Sequence, residues 1–206
     1  MKLQVNKVSK PVDHRKELKQ IYQLKQGNMV IQDLPERCYV SQRMHTKFDM
    51  EWDGRPEPLD DTFTAFKIVN QIKQITKTEM NYRFKRMPDE IIWLSKNEKK
   101  SLVEQMIYVP PFITEDIYSR ALLSVQKKLK LVPPLPFSFI RVPSQSVALK
   151  LHEGHYKDAG ETLEVILKEL QSKSIEPQLP HREIFLCPAM DCYPAAQTKT
   201  VICVPV

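Results

Sequence analysis

Apolar residues recur at two different spacings along this chain, and the longer spacing, together with capping signals, predicts four helices. Residues 61–77 carry an apolar side chain every three or four positions, which is typical of a helix with one buried stripe. Thr114 followed by two acidic residues predicts the start of a second helix. Asp158 and Glu161 form a D-x-x-E capping pattern that predicts the start of a third. A short amphipathic helix is also expected over residues 13–24.

Shorter apolar runs bounded by turn residues predict the strands. They lie at residues 29–32, 38–45, 90–94, 102–109, 137–142, 147–152, 183–186 and 200–204. The proline-rich stretch 132–136 cannot continue a helix or pair in a central strand, so we interpret it as a linker.

The predicted elements occur twice in the same order, and short motifs repeat with them. The matched segments are 33–35 with 141–143, 88–93 with 180–185, and 107–110 with 202–205. We therefore predict an α+β fold in which one domain, 1–206, holds two pseudo-symmetric strand–helix–strand–strand modules. The modules are residues 1–131 and 137–206, with antiparallel sheets around a central ligand cleft.

Composition narrows the classes of function that this fold could serve. The 206 residues include 4 glycines and 16 prolines, and no glycine-rich phosphate loop can be written. The net charge of +6 is compatible with nucleic acid, but acidic and basic residues alternate, which favours a solvated surface. The sequence has neither a long apolar run nor a signal-peptide pattern, so we predict a cytoplasmic protein with no membrane contact.

Cysteine and histidine spacing gives no support for a metal site. The four cysteines form no CxxC pair. The run from His152 to His155 is H-E-G-H, one residue shorter than the zinc-binding H-E-x-x-H pattern. We therefore predict no metal and no cofactor.

Two glutamates begin strongly apolar strands at matching points of the two modules. Regular alternation would place Glu183 and Phe185 on one face of the sheet. Alternation would place Glu90 and Trp93 on opposite faces unless a bulge intervenes. Each glutamate could lie exposed at a strand end. If buried instead, each could bind a cationic or polar ligand or act as a general base.

Aromatic residues occur near the same strands and suggest a ligand. An aromatic box with one or two carboxylates suits planar or cationic organic molecules, although each aromatic alone could equally be part of the core. Our candidate ligand-binding residues are Trp93, Tyr108, Phe185 and Met106, and our candidate catalytic residues are Glu183, Glu90 and Tyr156.

Several spaced motifs, in order along nearly the whole chain, match a known family. They are the segment 11–22, Pro88-x-Glu90-x-x-Trp93, the stretch 108–114, Gly154-His155-Tyr156, the stretch 181–186 and the closing segment 201–206. With them the chain resembles the GyrI-like small-molecule-binding family, the effector-binding domain of AraC- and MerR-type regulators. It is most similar to the stand-alone bacterial branch.

The resemblance implies two strand–helix–strand–strand modules with a ligand cleft between them. It implies that Glu183, and with it Glu90, contacts a drug-like ligand or activates water, since some stand-alone members hydrolyse cyclopropanoid alkylating compounds. Tyr156 or Tyr108 would then bind the ligand carbonyl, and Trp93 and Phe185 would stack on the ligand.

The chain also departs from the family pattern. Ile91, Leu94, His155 and Phe185 replace the family's glycine, second tryptophan, proline and tyrosine, so we expect a narrower and less polar cleft.

Three hypotheses about function follow. The first is a stand-alone binding protein or hydrolase for aromatic, drug-like or genotoxic small molecules, acting as a monomer or homodimer. The second is a ligand-sensing transcription regulator, but the two modules leave no segment for a helix-turn-helix, so we expect no direct DNA binding. The third is a gyrase-inhibitor-like module that binds another protein. We favour the first.

Overall fold

The computed structural model describes residues 10–46, 64–95, 101–155, 158–187 and 194–206. The helices are α1 Lys19–Tyr22, α2 Ala65–Glu79, α3 Glu115–Leu129 and α4 Ala159–Ser172. The strands are β1 Val30–Leu34, β2 Arg37–Thr46, β3 Asp89–Ser95, β4 Ser101–Val109, β5 Phe137–Val142, β6 Gln145–Glu153, β7 Arg182–Phe185 and β8 Lys199–Pro205. Short 3-10 turns cover His14–Lys16 and Ala195–Gln197.

The eight strands of the described residues belong to one antiparallel sheet, in the order β1-β6-β8-β7-β3-β4-β2-β5. The order strand–helix–strand–strand occurs twice along the chain, and the fold is α+β as predicted. The sheets of the two units join where β3 pairs with β7 at the centre. Each unit also exchanges an edge strand with the other, because β1 pairs with β6 and β5 pairs with β2.

The two faces of this sheet are covered by different parts of the chain. We call the face that carries Tyr39 and Tyr108 face A, and the face that carries Val40 and Ile107 face B. On face B, α2 and α3 pack over β2 and β4 around Val40 and Ile107, and α4 packs over β6 and β8 around Ala148 and Ile202. On face A, the N-terminal segment places Leu18, Ile21 and Tyr22 against the sheet. The central strands β3 and β7 therefore lie between the two helix-covered halves of face B.

The N-terminal segment is less helical than its pattern predicts. The expected helix over residues 13–24 is wrong, because the segment forms a 3-10 turn followed by the single turn α1. Its apolar residues, from Leu18 to Leu24, span about two turns, and so short a helix is marginal without tertiary contacts. Pairing with a distant segment, between α2 and β3, holds it instead: the backbone N–H of Val12 donates to the carbonyl of Arg83 and that of Lys85 donates to the carbonyl of Val12, each at 2.8 Å.

The helix starts differ in how they are capped. Thr114 caps α3 as predicted, since its Oγ1 accepts a hydrogen bond from the N–H of Ile117 at 3.3 Å. The helix α4 begins at Ala159, directly after Asp158, as predicted, but Asp158 makes no side-chain cap bond, so the expected capping box does not form. The start of α2 is capped from the sheet, because Gln42 Oε1 accepts from the N–H groups of Thr64 and Ala65.

None of the described helices is long and apolar enough to cross a membrane.

Candidate functional site

The two matched glutamates point to opposite faces of the sheet. In the pairing of β3 with β7, Glu90 lies opposite Ile184, whereas Glu183 lies opposite Ile91. Directly paired residues share a face and successive residues alternate, so Glu90 is on face A and Glu183 is on face B. The two carboxylates therefore do not line one cleft.

Glu183 lies at the centre of face B and is almost completely buried, with 2% of its surface exposed. Its Oε1 is 3.3 Å from Nε2 of His181, which is also buried. Its directly paired neighbours in the sheet are Ile91 and Ile202. Ile91 belongs to an apolar cluster on the same face, which also contains Met44, Val103, Phe185 and Trp93. A carboxylate with such neighbours can attract a cation or accept a proton, because few other groups there can solvate its charge.

Glu90 on face A is completely buried and already paired. Its Oε2 is 3.2 Å from Nη1 of Arg182, and Tyr22 donates its hydroxyl to Oε1 at 3.3 Å. Arg182 also donates to the Tyr39 hydroxyl at 3.1 Å and to the sulfur of Cys203 at 3.4 Å. This network joins α1, β2, β3, β7 and β8.

Burial and charge keep the hydroxyls of Tyr22 and Tyr39 neutral beside the charged guanidinium of Arg182. Burial and the Glu90 carboxylate raise the pKa of Tyr22 and of Tyr39. Burial alone would lower the pKa of Arg182, but Tyr39, Cys203 and Glu90 together raise it. A carboxylate engaged in this way is poorly placed to activate water.

The remaining predicted ligand residues divide between the two faces in the same manner. Met106 lies opposite Glu90 on face A, and Tyr108 lies opposite Tyr39, with the two rings edge to face at 6.0 Å. Trp93 and Phe185 share face B with Glu183. The structure thus groups Glu183, Trp93 and Phe185 on one face and Glu90, Met106 and Tyr108 on the other. Tyr156 lies outside the described residues.

Metal ligands are not clustered in the part of the chain that the structure describes. No group of three or more histidine, cysteine or acidic side chains there could hold an ion. Cys38, Cys187 and Cys203 are free thiols, and Cys192 lies outside the described residues.

Comparison with solved structures gives the same architecture over nearly the whole chain. A hydrolase from Listeria innocua is 19% identical, with a TM-score of 0.72, covering 94% of this chain and 98% of that one. An uncharacterized conserved protein from Listeria innocua is 18% identical, with a TM-score of 0.73 and the same coverage. The chain has the GyrI-like fold. No family model matches its sequence, and a search of curated proteins finds no match.

The GyrI-like fold also occurs in a structure of EcmrR bound to DNA. That protein is 14% identical, with a TM-score of 0.51, and the alignment covers 93% of this chain and 60% of EcmrR. At these identities the likeness is one of fold, and the chemistry has to be argued from the residues of this chain.

Three residues that contact the two glutamates were not among the candidates predicted from the sequence, namely His181, Arg182 and Tyr22. The sequence contains a weak indication of Arg182. It precedes Glu183 directly in an apolar strand, so alternation places its side chain with that of Ile184, on the face opposite Glu183. Tyr22 lies in the segment 13–24, and nothing in the local pattern of that segment indicates that the Tyr22 hydroxyl contacts Glu90, 68 residues away.

Proposed function

We propose that this protein binds an aromatic, cationic small molecule on face B, against Glu183. The observation that carries the proposal is the position of that carboxylate. It is buried at the junction of the two units, His181 is its hydrogen-bond partner among the described residues, and apolar and aromatic side chains share its face.

The chemistry of face B favours a ligand that is both flat and positively charged. A charge pair is much stronger in such surroundings than in water, so Glu183 would attract a cation that desolvates easily. Organic cations with delocalised charge meet that requirement, and the rings of Trp93 and Phe185 offer contact to an aromatic body. Glu90 cannot serve in the same way, because Arg182 already neutralises it.

Two probes of equal shape and opposite charge test this proposal. Tetraphenylphosphonium and tetraphenylborate would be titrated by isothermal calorimetry into the wild type and into Glu183→Gln. Glu79→Gln is the control, because Glu79 is an exposed residue of α2 paired with Arg120. We expect the phosphonium to bind more tightly than the borate, and Glu183→Gln to weaken phosphonium binding by about tenfold or more. Equal affinity for both ions, or an unchanged affinity in Glu183→Gln, would contradict the proposal.

Hydrolysis of a bound cyclopropanoid compound is a second candidate function. It is favoured by the fold shared with a Listeria innocua hydrolase and by the Glu183 carboxylate with His181 at its side. Glu183 would take a proton from water as the water oxygen attacks a ring carbon. The strained C–C bond would break, its electrons would pass to the conjugated carbonyl, and the resulting oxyanion would take up a proton. Tyr108 cannot donate to that oxygen from face A, which leaves Tyr156 as the predicted donor.

Mass spectrometry of the products separates catalysis from binding alone. The wild type, Glu183→Gln and Glu79→Gln would each be incubated with a cyclopropanoid alkylator. Ring-opened product above the rate in buffer, lost only in Glu183→Gln, would support a hydrolase. Product at the buffer rate in all three would refute catalysis on this class of compound and leave the binding proposal to the calorimetry.

A further inference from the structure

Arg37, the first residue of β2, carries a buried positive charge that the proposed function does not use. It is on the same face as Tyr39, which is face A, and only 1% of its surface is exposed. Its Nε donates to the carbonyl of Pro35 at 3.3 Å. Its terminal nitrogens Nη1 and Nη2 are buried and have no hydrogen-bond acceptor among the described residues.

The charge of Arg37 is also unbalanced in its surroundings. A guanidinium remains protonated inside proteins, and an unpaired buried charge is strongly unfavourable. The two buried carboxylates described on face A are already engaged, since Glu90 pairs with Arg182 and Glu104 pairs with Arg43. Neither of them offsets the charge of Arg37.

The other polar neighbours of Arg37 do not supply the missing negative charge. Its charge acts on Tyr39, Tyr108 and Cys203, which places them in the same interior region. Burial nevertheless raises the pKa of each of these three groups, so all of them are neutral near pH 7. No described carboxylate accepts a hydrogen bond from Nη1 or Nη2, so an anionic acceptor for them has to come from outside the described residues.

We propose that Arg37 binds a small monovalent anion through Nη1 and Nη2, on the face of the sheet opposite Glu183. The two nitrogens form a planar fork that can donate to a halide or to the two oxygens of a small carboxylate. This site is independent of the proposed small-molecule site, because it uses a different face and the opposite sign of charge.

The direct test is a crystal of the wild-type protein grown with bromide in place of chloride. We expect an anomalous peak within hydrogen-bonding distance of Nη1 and Nη2. The parallel test is thermal unfolding in chloride, formate or gluconate at constant ionic strength. Above the dissociation constant, the unfolding temperature should rise by about 3–5 °C for each tenfold increase in chloride or formate, relative to the large anion gluconate.

Variants of two arginines on one strand make the test specific. Arg37→Gln should abolish the difference between chloride and gluconate. Arg43→Gln should retain it, because Arg43 lies on the same strand and face but is exposed and paired with Glu104. If Arg37→Gln does not fold, the wild-type bromide and unfolding results decide. No bromide peak at Arg37, or a peak without anion-dependent unfolding, would overturn the proposal.

Discussion

Removing the charge of Glu90 should destabilise this protein much more than removing the charge of Glu183. Glu90 and Arg182 are both buried and lie 3.2 Å apart, and Tyr22 adds a hydrogen bond to the same carboxylate. Glu90→Gln leaves the guanidinium of Arg182 buried without its counter-charge. Glu183→Gln removes a charge whose described partner is His181, and the amide can still hydrogen-bond to that ring.

The size of the effect follows from the burial of the pair. Breaking one partner out of a buried ion pair costs about 3–5 kcal/mol, whereas losing one hydrogen bond costs about 1 kcal/mol. For a chain of this length, each kcal/mol corresponds to about 2–4 °C in the unfolding temperature. We therefore expect Glu90→Gln to lower that temperature by about 6–20 °C, and Glu183→Gln to lower it by a few degrees at most.

Circular dichroism follows both unfolding experiments: urea unfolding gives the free energies for each variant, and thermal unfolding gives the temperatures. Arg182→Met and the double variant Glu90→Gln/Arg182→Met complete a thermodynamic cycle. The double variant should be less destabilised than the sum of the two single variants, because it leaves no unpaired charge. Glu79→Gln is the control for a surface ion pair and should leave the midpoint unchanged. Strict additivity, or a loss of less than about 1 kcal/mol in Glu90→Gln, would refute the assignment.

Two further predictions concern the caps and the acid limb of stability. Thr114→Ala should lower the free energy of unfolding by about 1 kcal/mol because it removes the cap of α3, whereas Asp158→Ala should change it little. The urea unfolding midpoints of the two variants check this difference. Hydrogen bonds from Arg15 outweigh burial, and with a further bond from Lys85 they hold the pKa of Asp13 well below its usual 3.8. The stability that the Asp13 carboxylate contributes is complete above its usual pKa and is lost as the pH falls below that value. The wild type should therefore lose more free energy of unfolding between pH 5 and 3 than Asp13→Asn does, and an equal loss in both proteins would contradict the assignment.

The fold was predictable from the sequence, but the placement of the two glutamates on opposite faces of the sheet was not predicted. Both modules begin their central strand after a proline, which made Glu90 and Glu183 look equivalent. Glu90 follows Pro88 by two residues, however, and Glu183 follows Pro180 by three. Since side chains alternate between faces, one residue of difference moves a side chain to the other side of the sheet. The spacing therefore already contained the information that separates the two carboxylates.

The contacts that define each site could not have been derived from local patterns. The bond between Arg182 and Glu90 joins residues 92 positions apart, and that between Arg182 and Tyr39 joins residues 143 apart. Hydrophobic periodicity predicts which residues of one element share a face, but it does not predict which elements meet. The buried, unpaired nitrogens of Arg37 also depend on this long-range packing.

A crystal structure of the complex with tetraphenylphosphonium would locate the proposed binding site. We expect the cation to lie on face B over β3 and β7, in contact with Trp93 or Phe185 and closer to the carboxylate of Glu183 than to that of Glu90. A cation bound on face A beside Met106 and Tyr108, or at a position remote from both central strands, would contradict the proposal.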